Sequence, residues 1–323
     1  MPQEIKPDPF PANGTLEFYK GHFDWAALDI EDDEMADAKV VSWAETQLLK
    51  EHQKPLFLAV GIYRPHIPWY VPESWFDLYP LDEVELPEIQ EGDLDDVPEA
   101  GRAMARRTWQ QWIVDEGKWR DAVRAYLASI SFADAMVGRL LDALDDGPMA
   151  KNTVVVLWSD HGYHLGHKEH WEKFALWEQT THVPLIVAAP GMPSGGACSR
   201  PVSLLDIYPT LSELCSTEAP TFLEGESLVP WLNDPAASSD RAIITTQGFE
   251  NHAVRSERWR YIRYADGSEE LYDHSKDPNE FTNLAKHPEY RPVIEEHATW
   301  LPSENAQPDP ASGDWRKDKK ANE

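Results

Sequence analysis

The sequence predicts an α/β fold: a largely parallel central sheet flanked by helices, followed by a small C-terminal antiparallel sheet. Three observations predict it. Short apolar runs at 55–63, 152–159 and 182–191 alternate with stretches whose apolar residues recur at helical spacing. Those runs are apolar throughout, as strands covered on both faces should be. After about residue 240 the pattern changes to short β-rich segments divided by turn residues.

The first 35 or so residues are rich in Pro, Asp and Gly and read as irregular structure. "MADAKVVSWAETQLLKEH" is helical, because Val40, Ala44 and Leu48 repeat every four residues. "PLFLAVGIY" at 55–63 is a buried strand, and the prolines of "RPHIPWYVPESW" make the next segment the loop at its C-terminal end. A long helix over about 118–145 keeps Tyr126, Ile130, Ala133, Val137, Leu140, Leu141 and Leu144 on one face. "NTVVVLWS" and "HVPLIVAAPG" are further buried strands, and "SLLDIYPTLSELC" is a helix. "AIITTQ", "HAVRSERWRYIRYADG" and "EELYDH" form the antiparallel sheet, closed by a helix near "PEYRPVIEEHATWL". The expected organisation is an α/β domain over 1–238, a sheet-plus-helix subdomain over 239–301, and a polar, disordered tail over 302–323.

Charge narrows the partners. With 29 Lys and Arg against 57 Asp and Glu, the net charge is −28. That argues against nucleic acid or an anionic membrane surface, although a local pocket can still oppose the net field. The acidic stretch "DEVELPEIQEGDLDDVPE" is a solvated loop or, as the lesser reading, a cation site. Cys198 and Cys215 form no CxxC pair. No apolar run approaches the ~20 residues that span a bilayer. No signal peptide is recognisable at the start, and the compartment stays unassigned.

The densest chemistry lies in "WSDHGYHLGHKEHWEKF", where His161, His164, His167 and His170 fall three residues apart. Gly162 and Gly166 disfavour a helix, and in an extended chain this spacing alternates sides, so one four-histidine metal site is geometrically poor. Asp160 and His161 are different. Held together at the end of a strand, they offer one oxygen and one nitrogen to a cation; the bland alternative is a capping Asp with its histidine packed beside it. Lys173 is a surface lysine or a point charge aimed at an anion. His66, between prolines with aromatic neighbours, suits proton transfer near neutral pH or is simply structural.

"FLAVGIYRPHIPWYVP", "YLASISFADAMVGRLLDAL", "NTVVVLWSDHGYHLGHKEHWEKF", "THVPLIVAAPG", "RPVSLLDIYPTL" and "HAVRSERWRYIRYADGSEELYDHSKDPNEFTNLA" together resemble the sulfatases of the alkaline-phosphatase-like superfamily, in the iduronate-2-sulfatase-like branch. The resemblance covers nearly all of 29–301. It implies that Asp160 and His161 are half of a divalent metal site, usually calcium. It implies that Lys173 contacts a sulfate oxygen and that His66 is a general acid near the ester's bridging oxygen. His164, His167 and His170 match no catalytic position. The implied reaction is hydrolysis of a sulfate ester, on a carbohydrate in this branch, with Trp69, Trp75 and Trp171 as candidate stacking surface.

One part of the pattern is missing. The family's formylglycine nucleophile arises in a C/S-x-P/A-x-R motif, and no arginine here follows such a motif. The first metal-binding Asp pair and the basic and His residues flanking the nucleophile have no match either. The resemblance therefore implies an incomplete catalytic domain over 1–238, the chain corresponding to the C-terminal two-thirds of a sulfatase. Its alternatives are an inactive remnant or binding module, half of a split enzyme that takes the missing N-terminal segment in trans, and a phosphatase or phosphonate hydrolase of the same superfamily.

Overall fold

The computed structural model describes residues 5–307. The tail expected over 302–323 therefore lies largely outside the described residues. The chain forms two compact units. One takes in residues through Pro87 together with Thr108–Thr153; the other takes in Glu88–Arg107 and the chain from Val154 on.

In the first unit, β1 (Trp25–Leu28) pairs in parallel with β2 (Trp69–Pro72). Neither strand is expected from the sequence, because the surrounding prolines point to a loop. The ladder tolerates them: Pro68 precedes β2 and Pro72 is its last residue, so no interior amide is lost. Phe23, Trp25 and Trp69 are buried, and Phe23 lies 4.5 Å from Trp109, ring centroid to ring centroid. Burial of such side chains stabilises by roughly 1.5–3 kcal/mol each. The helices Ala36–Leu48 and Trp119–Asp145 match the expected ones in span. The longer helix buries Ala122, Ala125, Phe132 and Met136 with Leu144, while Ile130 and Leu141 of the expected face are exposed. Arg139 on the second bonds both carboxylate oxygens of Glu45 on the first, each at 2.9 Å, a bidentate pairing.

The run 55–63 is not a strand. It has no ladder partner among the described residues, and Phe57 is 83% exposed. Apolarity shows that a segment favours burial, while a strand also needs a neighbouring backbone, which local sequence does not specify.

In the second unit, β3 (Val155–Trp158) and β6 (Leu185–Ala188) pair with each other. Their pairing is antiparallel, not parallel as the sequence suggests, and both alternate or open to solvent, with Ile186 57% exposed. Between them, β4 (His164–Leu165) and β5 (Trp171–Glu172) form a short hairpin. The expected antiparallel sheet is present as β7 (Ile243–Thr246), β8 (His252–Arg255), β9 (Trp259–Arg263) and β10 (Glu269–Asp273), in order β10-β9-β8-β7. Both faces are buried by alternation. Ala253, Ile262 and Tyr272 join one cluster with Trp177, while Val254, Tyr261 and Leu271 join another with Ile294 of the helix Arg291–Ala298.

The acidic stretch is only partly solvated. Leu94 and Val97 enter the core with Trp177, and Asp93 is buried against Lys168, Nζ to Oδ1 at 2.6 Å. Burial raises the Asp93 carboxyl and the Lys168 charge opposes that rise. Among the described residues no helix is long and apolar enough to cross a membrane.

Candidate active site

Asp160 and His161 follow β3 directly. Their turn is fixed by a close backbone crossing: Gly162 N–H donates to the Thr180 carbonyl at 2.7 Å, and a Cβ on Gly162 would lie 2.0 Å from the Gln179 carbonyl oxygen. Only glycine permits that approach. His161 Nδ1 lies 2.9 Å from the Gly162 carbonyl. A carbonyl only accepts, so Nδ1 carries the proton and Nε2 presents a lone pair. That Nε2 is 3.7 Å from Asp160 Oδ2. A backbone-fixed tautomer with an imidazole nitrogen and a carboxylate oxygen converging fits a divalent cation.

A second group has metal-like spacing. Ligand atoms of Glu178, His274 and Glu280 lie within 4.8 Å of one another. The cation's place there is filled by Arg260, which is buried, bonded to Glu178 and 2.6 Å from Glu280 through Nε. Burial opposes ionisation of Glu178, but Arg260 and Arg255 bring its carboxyl down to about 2. This is a charge-balanced structural network.

The remaining histidines pack on one another and on Trp177. His164 and His170 are 4.7 Å apart, His164 and His167 6.2 Å, and Trp177 lies 6.0 Å from His164. Burial holds all three imidazoles below the usual range, His167 at about 4 and His170 at about 3. His164 and His170 act on Lys173 through its backbone. Thr180 Oγ1 donates to the Lys173 carbonyl at 3.0 Å and takes His164 Nδ1 at 3.1 Å. His170 Nδ1 accepts from the Arg106 amide at 3.0 Å, leaving Nε2–H to face the Lys173 carbonyl at 3.4 Å. Lys168, Glu169 and Glu172 have φ of 55, 47 and 77°, left-handed values uncommon outside glycine. Such clustering persists only where the surroundings impose it, here through the buried histidines and the Lys168–Asp93 pair.

His66 lies in the first unit, in a loop before β2 and not after an assigned strand. The buried Asp37 carboxylate accepts the Tyr63 and Arg64 amides at 2.9 and 3.0 Å, holding that loop's start. His66 Nδ1 is 2.6 Å from the Ile67 carbonyl, so Nε2 is the nitrogen that can exchange a proton. The Tyr63 ring packs 4.8 Å from the imidazole. The structure thus brings Asp160 and His161 together, places Lys173 in the same unit, and sets His66 in the other.

Two sequence expectations about the surroundings change. Trp69 and Trp171 are fully buried and offer no stacking surface, and Trp75 Nε1 is bonded to Asp32 at 2.7 Å. Phe174 is the partly exposed ring next to Lys173, with the ammonium 5.4 Å from its centroid. Arg106 is also missed by sequence reasoning, since 64 residues separate it from His170.

The model of the family described as Sulfatase matches residues 5–217. The chain belongs to the sulfatase family. A second model, N-sulphoglucosamine sulphohydrolase, C-terminal, matches residues 166–307 of this sulfatase-family chain. A sulfatase of Formosa agariphila is 43% identical over 301 residues, covering 91% of this chain and 59% of that protein. Iduronate 2-sulfatase of Homo sapiens is 30% identical over 236 residues, covering 60% of this chain and 42% of its own length. The chain thus spans less than two-thirds of these relatives. The structure of a 2-O GAG sulfatase superposes with a TM-score of 0.67 at 24% identity, covering 84% of this chain and 63% of that one. A phosphonate monoester hydrolase from Silicibacter pomeroyi superposes with 0.71 at 20% identity, covering 84% and 60%. These superpositions support the α/β fold of the family.

Proposed function

We propose that this chain carries the substrate-binding and metal-binding part of a sulfate-ester hydrolase acting on a sulfated carbohydrate. The observation that carries the reading is the Asp160–His161 pair: a tautomer fixed by the Gly162 carbonyl, with Nε2 3.7 Å from the carboxylate, at positions that the sequence resemblance assigns to metal. A divalent cation held there, calcium in this reading, supplies positive charge against the sulfate oxygens. Lys173, its carbonyl clamped by Thr180 and His170, adds a second charge to the same group. His66, with Nδ1 committed to the Ile67 carbonyl, donates a proton from Nε2 to the leaving alcohol oxygen. The carbohydrate class follows the name of the iduronate 2-sulfatase relative.

No C/S-x-P/A-x-R motif occurs in this sequence, so none of its residues is assigned as a formylglycine nucleophile. The test is hydrolysis of an aryl sulfate with calcium, by this chain and by the chain joined to the part of its longer relatives that it does not span. Turnover in the longer protein alone supports the reading. Folded protein without turnover in either form favours a non-catalytic remnant, and preference for an aryl phosphonate ester moves the assignment to phosphonate hydrolysis.

A further inference from the structure

We propose a second catalytic site, a Ser256–His297 pair that hydrolyses acetyl esters of sugars and other polar alcohols. It lies wholly within the second unit and uses neither the Asp160–His161 pair nor Lys173. His297 sits in the last turn of the helix Arg291–Ala298 and is buried. Its Nδ1 lies 2.8 Å from the Val293 carbonyl, one helical turn back. A carbonyl only accepts, so Nδ1 carries the proton and Nε2 presents a lone pair. Ser256 Oγ lies 2.8 Å from that Nε2, so its hydroxyl donates to the imidazole. The other acceptor in reach, the Trp259 carbonyl, is farther, at 3.5 Å. A hydroxyl bonded to the lone pair of a tautomer-fixed histidine is the arrangement of an activated nucleophile and its base.

Ser256 is held as such a nucleophile must be, in the turn between β8 and β9. Its amide donates to the Trp259 carbonyl at 3.0 Å, and the Trp259 amide returns a bond to Ser256 Oγ at 3.3 Å. That N–H supports the negative charge the oxygen gains as its proton leaves. The Arg255 guanidinium bonds the Ser256 carbonyl, and Arg255 is itself paired with Glu178 at 3.1 Å.

Ser256 lines a cavity of about 290 Å³, and His297 is not part of its wall. The wall also holds Arg200, Arg241 and Arg258 against Asp240, Glu257 and Glu296, three charges of each sign. Such a wall suits a neutral, hydrophilic ester better than a fatty acyl chain. Arg200 Nη1 pairs with Glu257 at 3.0 Å, but its Nε–H is buried and has no hydrogen-bond partner among the described residues. A buried donor without an acceptor is costly unless a ligand oxygen takes it. In the proposed reaction this N–H takes the ester's carbonyl oxygen, where negative charge develops. Ser256 Oγ attacks the carbonyl carbon while His297 Nε2 takes the hydroxyl proton. The bond from that carbon to the alcohol oxygen breaks, and the alcohol leaves with the proton. Water then attacks the acyl-serine, a proton returns through Nε2 to Ser256 Oγ, and the carboxylic acid is released.

Reaction of the full chain with p-nitrophenyl acetate tests this, with the acetylated residue mapped by mass spectrometry. The expected result is a burst of about one nitrophenolate per chain and an acetyl group on Ser256. Ser256→Ala should abolish the burst, and His297→Gln should slow acylation about a hundredfold. Arg200→Met should lower kcat about a hundredfold with KM little changed. EDTA, at a temperature where the chain stays folded, should leave the rate unchanged, which separates this site from the proposed metal pair. Acetyl groups found only on other residues, or none at all, overturn the proposal on the parent chain, whether or not a variant folds. Acylation as fast in folded His297→Gln as in the parent, or loss of the burst in EDTA, overturns it too.

Discussion

The Thr180 hydroxyl donates to the carbonyl of Lys173 at 3.0 Å, and the same oxygen takes the Nδ1–H of His164. One threonine thus joins the histidine cluster to the backbone of the lysine assigned to sulfate. Thr180→Val keeps the shape and removes both bonds, leaving a buried imidazole N–H unpaired. The expected cost is about 1–3 kcal/mol in urea unfolding, with weaker sulfate binding. A valine variant as stable and as competent as the parent would show that the clamp is idle.

Metal binding at Asp160 and His161 should stabilise the fold. A ligand that binds only the native state adds about 2.7 kcal/mol at one hundred times its Kd. Calcium is expected to raise the melting temperature of the parent and EDTA to reverse it. Asp160→Asn and His161→Ala should abolish the response, whereas Glu178→Gln should retain it, because Arg260 fills that second cluster. A calcium shift lost in Glu178→Gln and kept in Asp160→Asn would place the metal at the wrong cluster for the present assignment.

Acid should destabilise the chain in a defined window. His167 falls from 6.5 to about 4 in the native state because burial disfavours its charged form. Between those values the unfolded chain binds more protons, so stability drops as pH falls from about 6.5 to about 4 and that contribution then levels off. His170 and His164 shift in the same direction and deepen the loss. Equilibrium unfolding at pH 7, 5.5 and 4.5 measures the slope, and His167→Asn should make it shallower.

Arg260 is buried between Glu178 and Glu280. Arg260→Met strands two carboxylates and should cost about 3–5 kcal/mol. The double change with Glu178→Gln should recover part of the loss, a coupling that a double-mutant cycle reports directly. Strict additivity would mean the two side chains do not act as a unit.

The sequence is informative where local pattern suffices. The span of the helix Trp119–Asp145, though not its buried face, and the sheet from β7 to β10 follow from local pattern, and Asp160 and His161 stand out as adjacent ligand types after a strand. It is uninformative where a partner decides the outcome. The run 55–63 lacks a neighbouring strand, and β3 takes β6 in the antiparallel sense, because register and direction depend on distant backbone. Lys168 and Lys173 look alike on paper, yet Lys168 is buried against Asp93 and over the Tyr272 ring at 5.0 Å. Arg106 carries no local signal, as the imidazole its amide bonds lies 64 residues away.

The interleaving of the two units bears on how the chain is made. Residues 88–107 belong with the later unit but leave the ribosome before Thr108–Thr153 completes the earlier one. During synthesis the first unit can close only after this stretch has emerged. Arg107 and Asp93 are made before Glu169 and Lys168, their partners on the histidine hairpin, emerge. No single cut separates the units, so a fragment ending at residue 153 would carry an orphaned acidic loop. A form that separated them would have to break the chain three times, on either side of 88–107 and again after Thr153.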